Sequence, residues 1–103
     1  MTNTLFICNQ NKNRSVTAEE LTPGSKSAGL YSEKNPVTEE LVKWADNIVV
    51  FSQKQVEEVK KRFPTLCFER RIFNLDIVDI YNYTDERLVK EVKEKLKGIK
   101  EFI

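Results

Sequence analysis

Leu5-Phe6-Ile7-Cys8-Asn9-Gln10-Asn11-Lys12-Asn13-Arg14-Ser15 is the stretch from which the fold can be read. Its apolar run ends in polar residues and reads as a short buried strand. Ser15-Val16-Thr17-Ala18-Glu19-Glu20-Leu21 then reads as a short helix, stopped by Pro23-Gly24. Strand, polar loop and helix N-terminus together make a recurrent anion-holding geometry, because free backbone N–H groups converge there. The loop itself spells Cys-x5-Arg-Ser, running from Cys8 to Ser15. A thiol and a guanidinium bracket five residues that can curl into a ring of amides. Such a ring can hold a tetrahedral oxyanion over a sulfur nucleophile.

The spacing alone is a weak motif, so the rest of the chain must supply the context. The elements alternate. Strands are expected over residues 4–8, 25–28, 47–51 and 71–75. Asn47-Ile48-Val49-Val50-Phe51 is continuous and apolar, as in strands buried on both faces of a parallel sheet. Helical spacing runs from Pro36 to Ala45 through Val37, Leu41 and Trp44. Ser52 with Gln55 reads as a capping box for a helix that Pro64 stops, with Val56, Val59 and Phe63 on one face. Leu88, Val89, Val92, Leu96 and Ile99 form the stripe of a C-terminal helix capped by Thr84 or Asp85. Alternating β and α implies an α/β fold of three layers, a parallel sheet with helices on both faces, in a single domain over residues 1–103. Ligands of such sheets bind at the carboxyl ends of strands. Cys8 ends the first strand; Asp76 and Asp79 follow the fourth. Both can lie at one edge.

Composition narrows the function. Net charge is +1, so no global field favours nucleic acid or a membrane surface. Oppositely charged residues at i,i+4, such as Glu58 and Arg62, suit exposed helix faces. No signal peptide, long apolar run or low-complexity tract is read, and the two cysteines form no Cys-x-x-Cys. A reduced, cytoplasmic chain without structural disulfides is expected. Histidine is absent, which removes Ser-His-Asp and Cys-His chemistry and argues against a zinc site. A cysteine nucleophile must then be ionised by other means. A helix N-terminus, aimed amides and Arg14 would each favour the thiolate of Cys8.

Arg14 offers a planar fork matched to two phosphate oxygens. Ser15 can donate to the sulfur or simply open a helix. Asn11 and Asn13 tolerate the left-handed backbone that a tight loop without glycine needs. Lys12 either adds charge at the mouth or is merely solvated. In Asp76-Ile77-Val78-Asp79-Ile80-Tyr81-Asn82-Tyr83, a partly buried aspartate can protonate a leaving group. Tyr81 and Tyr83 either wall the site or pack. Cys67 reads as core filler.

These residues resemble the low-molecular-weight protein tyrosine phosphatases. The resemblance rests on Cys-x5-Arg-Ser after the first strand, Ser27-Ala28-Gly29 near the second, and an Asp-bearing loop with tyrosines after the fourth. A short phosphatase-like branch is more similar still. It shares Cys-x-Gln-Asn-Lys-x-Arg-Ser, Asn35-Pro36-Val37-Thr38-x-Glu40-Leu41, Trp44-Ala45-Asp46 and Leu75-Asp76-Ile77, across nearly the whole chain. The resemblance implies a four-stranded parallel sheet and a two-step phosphoester hydrolysis without metal or other cofactor. Cys8 would be the nucleophile. Arg14 and the loop from Asn9 through Gln10, Asn11, Lys12 and Asn13 would bind phosphate, Asn11 would hold the loop's shape, and Ser15 would steady the thiolate. Tyr81 would contact the substrate.

The departures bear on specificity. Gln10 stands where the family carries glycine. The family's Asp-Pro-Tyr becomes Asp76-Ile77-Val78 or Asp79-Ile80-Tyr81; strand-end position favours Asp76, while Asp-x-Tyr spacing favours Asp79. The chain is also shorter than ordinary members, with most of the cleft-walling loop missing. Three functions follow: a phosphatase of phosphotyrosine proteins or small aryl phosphates, a non-catalytic phosphate-binding module, or an arsenate reductase drawing on an external thiol.

Overall fold

Three consecutive apolar residues ahead of Cys8 form the centre of the sheet. The computed structural model describes residues 2–103. Strand β1 (Thr4–Cys8) is buried at all five positions, flanked by β2 (Lys26–Gly29) and β3 (Asn47–Val50), with β4 (Arg71–Asn74) beyond β3. All pairings are parallel and the order is β2-β1-β3-β4. A parallel sheet is covered on both faces, which is why β1 and β3 read as unbroken apolar runs rather than alternating ones.

Alternation still sorts the side chains. Leu5, Ile7, Ile48 and Val50 face one core with Val42 of α2 (Glu39–Trp44), Val56 and Val59 of α3 (Gln53–Arg62), and Cys67 of α4 (Pro64–Phe68). Phe6, Cys8 and Val49 face the other core with Ala18 of α1 (Arg14–Leu21) and Leu88 and Val92 of α5 (Glu86–Lys97). The α/β, three-layer, four-stranded parallel architecture read from the sequence is therefore the one observed.

The boundaries differ where backbone chemistry overrides the apolar pattern. The helix expected from Pro36 begins at Glu39, because Thr38 caps it by accepting from the Leu41 amide at 3.2 Å. Pro36 instead bridges Gly29 beside β2. Pro64 ends α3 as expected but also opens α4, since a proline at the first turn gives up an N–H that would be unbonded there anyway. Asp85, not Thr84, caps α5. Ser52 caps α3 through the Gln55 amide, yet the Gln55 side chain does not complete the capping box. Its Oε1 accepts from the Phe51 amide at 2.7 Å instead. Of the exposed charge pairs, Glu58 and Arg62 close to 2.7 Å.

The chain leaves β1 toward β2 on one side, and β3 pairs with β1 on the other. The carboxyl ends of β1 and β3 therefore diverge into a crevice, the usual ligand position in such sheets. No helix among the described residues is long and apolar enough to cross a membrane.

Candidate active site

The loop after β1 closes into a cup. Asn11 takes a left-handed backbone at φ 55°, which turns its N–H back onto Cys8 Sγ at 3.2 Å. Asparagine tolerates this conformation better than most side chains. Gly29 makes room behind the turn. A Cβ there would lie 2.8 Å from the Asn11 nitrogen and the Gln10 carbonyl carbon, so only glycine lets the loop sit this close. Leu30 and Tyr31 donate to the Cys8 and Asn9 carbonyls at 2.8 Å and fix the loop's outer edge.

Cys8 Sγ lies 2.9 Å from Ser15 Oγ, at the first turn of α1. Asn11 Nδ2 donates to Ser15 Oγ and to Ser27 Oγ, each at 2.9 Å, and Ser27 donates to Glu19 Oε1 at 2.5 Å. Because Ser15 Oγ already accepts from Asn11, its proton is left for the sulfur. Two donors, the Asn11 amide and the Ser15 hydroxyl, thus converge on Sγ.

Arg14 is 4 % exposed and lies between β3 and the loop after β4. Its Nη1 donates to the Ile77 carbonyl at 2.8 Å, its Nη2 lies 3.8 Å from Asp79 Oδ2, and its plane sits 5.7 Å from the Phe51 ring centre. No fully buried side-chain nitrogen or oxygen lacks a partner among the described residues, so the remaining Arg14 donors reach accessible space. That space is a cavity of about 160 Å³ lined by Cys8, Asn9, Gln10, Lys12, Asn13, Arg14 and Asp79. The N–H groups of Gln10, Lys12, Asn13, Arg14 and Ser15 meet no protein acceptor among the described residues. Free amides at the start of a helix, a buried guanidinium and a sulfur at one cavity make a site for a tetrahedral anion.

Of the two candidate acids, Asp79 reaches the cavity and Asp76 does not. Asp76 is exposed at φ 53°, its amide tied to Asn74 Oδ1 at 2.8 Å. Tyr81 packs against the Phe6 core with the Arg87 guanidinium over its ring, outside the residues lining the cavity. Tyr83 donates to Glu20 on α1. Lys12 is exposed at the cavity mouth. Cys67 lies in the core on the opposite face of the sheet from Cys8, its thiol pushed up by burial. The segment after β2 still forms a wall: Tyr31, Ser32, Glu33, Lys34 and Asn35, with Gln10, Asn11 and Lys12, surround a hollow of about 730 Å³. No group of three or more His, Cys, Asp or Glu placed to hold a metal ion occurs among the described residues.

Three residues around the site were not read as part of it from the sequence, where Gln55 stood only as a capping residue and Asn35 only within the resemblance. Gln55, fully buried, donates through Nε2 to Asn9 Oδ1 at 3.1 Å and pins the loop to the first turn of α3. Glu19 and Asn35 complete the network around Asn11 and Ser27. A polar residue at a core-facing helix position, as Gln55 is next to Val56, was the available clue.

No protein-family model and no curated protein matches the chain. Solved structures do. The tyrosine phosphatase Wzb from Escherichia coli K30, in complex with phosphate, superposes with a TM-score of 0.79 at 19% identity over 100% of this chain and 99% of that one. The YwlE arginine phosphatase from Geobacillus stearothermophilus gives 0.73 at 20% identity, over 99% of this chain and 90% of its own. A low molecular weight protein tyrosine phosphatase from Bacillus subtilis gives 0.70 at 20%, over 96% and 97%. The chain has the low-molecular-weight protein tyrosine phosphatase fold.

Proposed function

We propose that the protein is a cysteine-dependent phosphatase that hydrolyses aryl phosphate or phosphotyrosine esters through a thiophosphate on Cys8. The observation that supports this most is the meeting of Cys8, Arg14 and Asp79 at one small cavity beneath free amides. Phosphate sits on the loop amides and the Arg14 fork, with phosphorus above Sγ. The thiolate attacks; the S–P bond forms as the P–O bond breaks in line, and Asp79 gives its proton to the departing oxygen. Water then attacks phosphorus, returns a proton to Asp79, and releases Cys8 as a thiolate that Ser15 and Asn11 steady. The amides and Arg14 bear the charge on the equatorial oxygens in both steps.

Cys67 cannot resolve a bond at Cys8 from the far side of the sheet, so nothing here favours arsenate reduction by the chain's own thiols. The test is hydrolysis of p-nitrophenyl phosphate, phenyl phosphate, a phosphotyrosine peptide and a phosphoarginine peptide, with wild type and Cys8→Ser. Turnover of the aryl esters that Cys8→Ser abolishes is expected. Preferential turnover of phosphoarginine would move the substrate class to that of the YwlE arginine phosphatase, with Cys8 still the nucleophile. Phosphate binding without turnover of any substrate would leave a binding module.

A further inference from the structure

We infer that Asn35 and Glu19 are positioning residues that set the direction of the hydrogen bond at the Cys8 sulfur. The inference rests on the phosphatase reading for its kinetic consequence, but not for its chemistry.

An amide side chain has a donor end and an acceptor end of nearly equal shape, so packing alone does not decide which end of Asn11 meets Ser15. The wiring decides it, starting from groups that cannot reverse. The Ser27 backbone carbonyl can only accept. Asn35 Nδ2, at 2.7 Å from it, must therefore be the NH2 end, and its second proton points to Asn11 Oδ1 at 2.9 Å. That fixes Oδ1 of Asn11 toward Asn35 and turns its NH2 toward the two serines.

The second starting point is the Glu19 carboxylate, which as an ion also can only accept. It takes the Ser27 hydroxyl proton at 2.5 Å, so Ser27 Oγ shows a lone pair to Asn11. Both chains of logic give Asn11 the same orientation. Ser15 then accepts from Asn11 and has one proton left, aimed at Sγ at 2.9 Å. With Asn11 reversed, Ser15 would give that proton to Oδ1 and present a lone pair to the thiolate. Neither Asn35 nor Glu19 lines the cavity, so each acts through Asn11 or the serines.

Asn35→Asp tests this with a side chain of the same shape. A carboxylate has no donor for Asn11 Oδ1 and invites Asn11 to reverse. Asn35 is exposed, so folding should survive, as circular dichroism and thermal melting would report. The readout is the iodoacetamide alkylation rate of Cys8 at pH 6, followed by mass spectrometry, which needs no turnover. A hydrogen bond to a charged group is worth enough that the rate should fall about tenfold. Inhibition by inorganic phosphate should stay within about twofold, because the amides and Arg14 are untouched. Ser15→Ala should lower the rate similarly, and adding Asn35→Asp to it should cost nothing more. Glu19→Leu, which removes the acceptor of the Ser27 proton, carries the same expectation and replaces Asn35→Asp should that variant not fold. A folded Asn35→Asp with the wild-type alkylation rate overturns the inference, as do effects of Asn35→Asp and Ser15→Ala that multiply. Loss of alkylation alongside absent turnover in wild type would sink the phosphatase reading while leaving this one standing.

Discussion

Asp79→Asn separates the two aspartates that the sequence left open. Asp79 Oδ2 stands 3.8 Å from Arg14 Nη2 at the rim of a cavity with Cys8 among its lining residues. Acid catalysis typically contributes ~10²–10⁴-fold. Asp79 is 52% exposed, so water can replace it in part, which argues for the lower half of that range. On phenyl phosphate, kcat/KM should fall by roughly 10²–10³-fold. On p-nitrophenyl phosphate, whose leaving group needs less help, the loss should be about tenfold or less. Inhibition by inorganic phosphate should be no weaker, because a charge competing for Arg14 has gone. Asp76→Asn should change every rate by less than about twofold, and asparagine accepts the φ of 53° at that position. The assay is a kcat/KM series over phenols of graded acidity. The reasoning is refuted if Asp76→Asn shows the leaving-group dependence, or if Asp79→Asn slows all substrates equally.

Gly29→Ala places a methyl group 2.8 Å from loop backbone. It should cost about 1–3 kcal/mol of stability and weaken phosphate inhibition together, and unchanged values of both would show that the loop yields freely. Gln55→Leu strands the Phe51 amide and the Asn9 side chain. A loss of about 1–3 kcal/mol in denaturant unfolding is expected, and a neutral result would mean the amide finds another acceptor. Burial pushes the Cys67 thiol up from its ordinary value of 9.0, against the pull of Arg70 and Lys60. Its neutral form is favoured by folding, so that stabilisation holds below pH 9.0 and is lost as pH rises through the raised value. At pH 8, iodoacetamide should label Cys8 and spare Cys67, whereas both should react in urea. Equal native rates would count against the burial.

The sheet was legible because burial on both faces writes itself as unbroken apolar runs, at Leu5-Phe6-Ile7 and Ile48-Val49-Val50-Phe51. The loop from Cys8 to Ser15 was legible as a cup because its residues lie within one loop and helix turn, where spacing alone constrains geometry. What escaped depends on contacts across the chain. Asn35 meets Asn11 because β2 pairs with β1 and the Gly29–Pro36 bridge folds the next segment back. The choice between Asp76 and Asp79 turns on one left-handed residue, Asp76 itself, which bends the chain so that Asp79 faces the cavity. Gln55 looked like a capping residue, but its side chain found a stronger use at the buried Phe51 amide. Local propensity cannot anticipate such competition among acceptors.

Arg14 joins the two halves of the site through contacts of unequal strength. The loop after β4 is anchored to the end of β3, with Leu75 donating to the Val50 carbonyl at 2.9 Å and Ile77 to the Phe51 carbonyl at 3.1 Å. Arg14 Nη1 bonds to that anchored segment at the Ile77 carbonyl, and the Phe51 ring lies alongside the guanidinium. The guanidinium is therefore a fixed post. Its contact with Asp79 is longer and half-exposed, the kind of ion pair that contributes little. In the proposed mechanism, a phosphate on the loop amides would compete with Asp79 for Arg14 and leave the Ile77 bond intact. Under the proposed mechanism the acid is thus the mobile partner. Substrate takes its place on the arginine, and Asp79, two residues past the last anchoring bond, is free to turn toward the leaving oxygen. This ordering is why the phosphate affinity of Asp79→Asn matters as much as its rate. Catalysis should collapse with leaving-group dependence while the anion binds at least as tightly, a combination that a merely distorted loop could not produce.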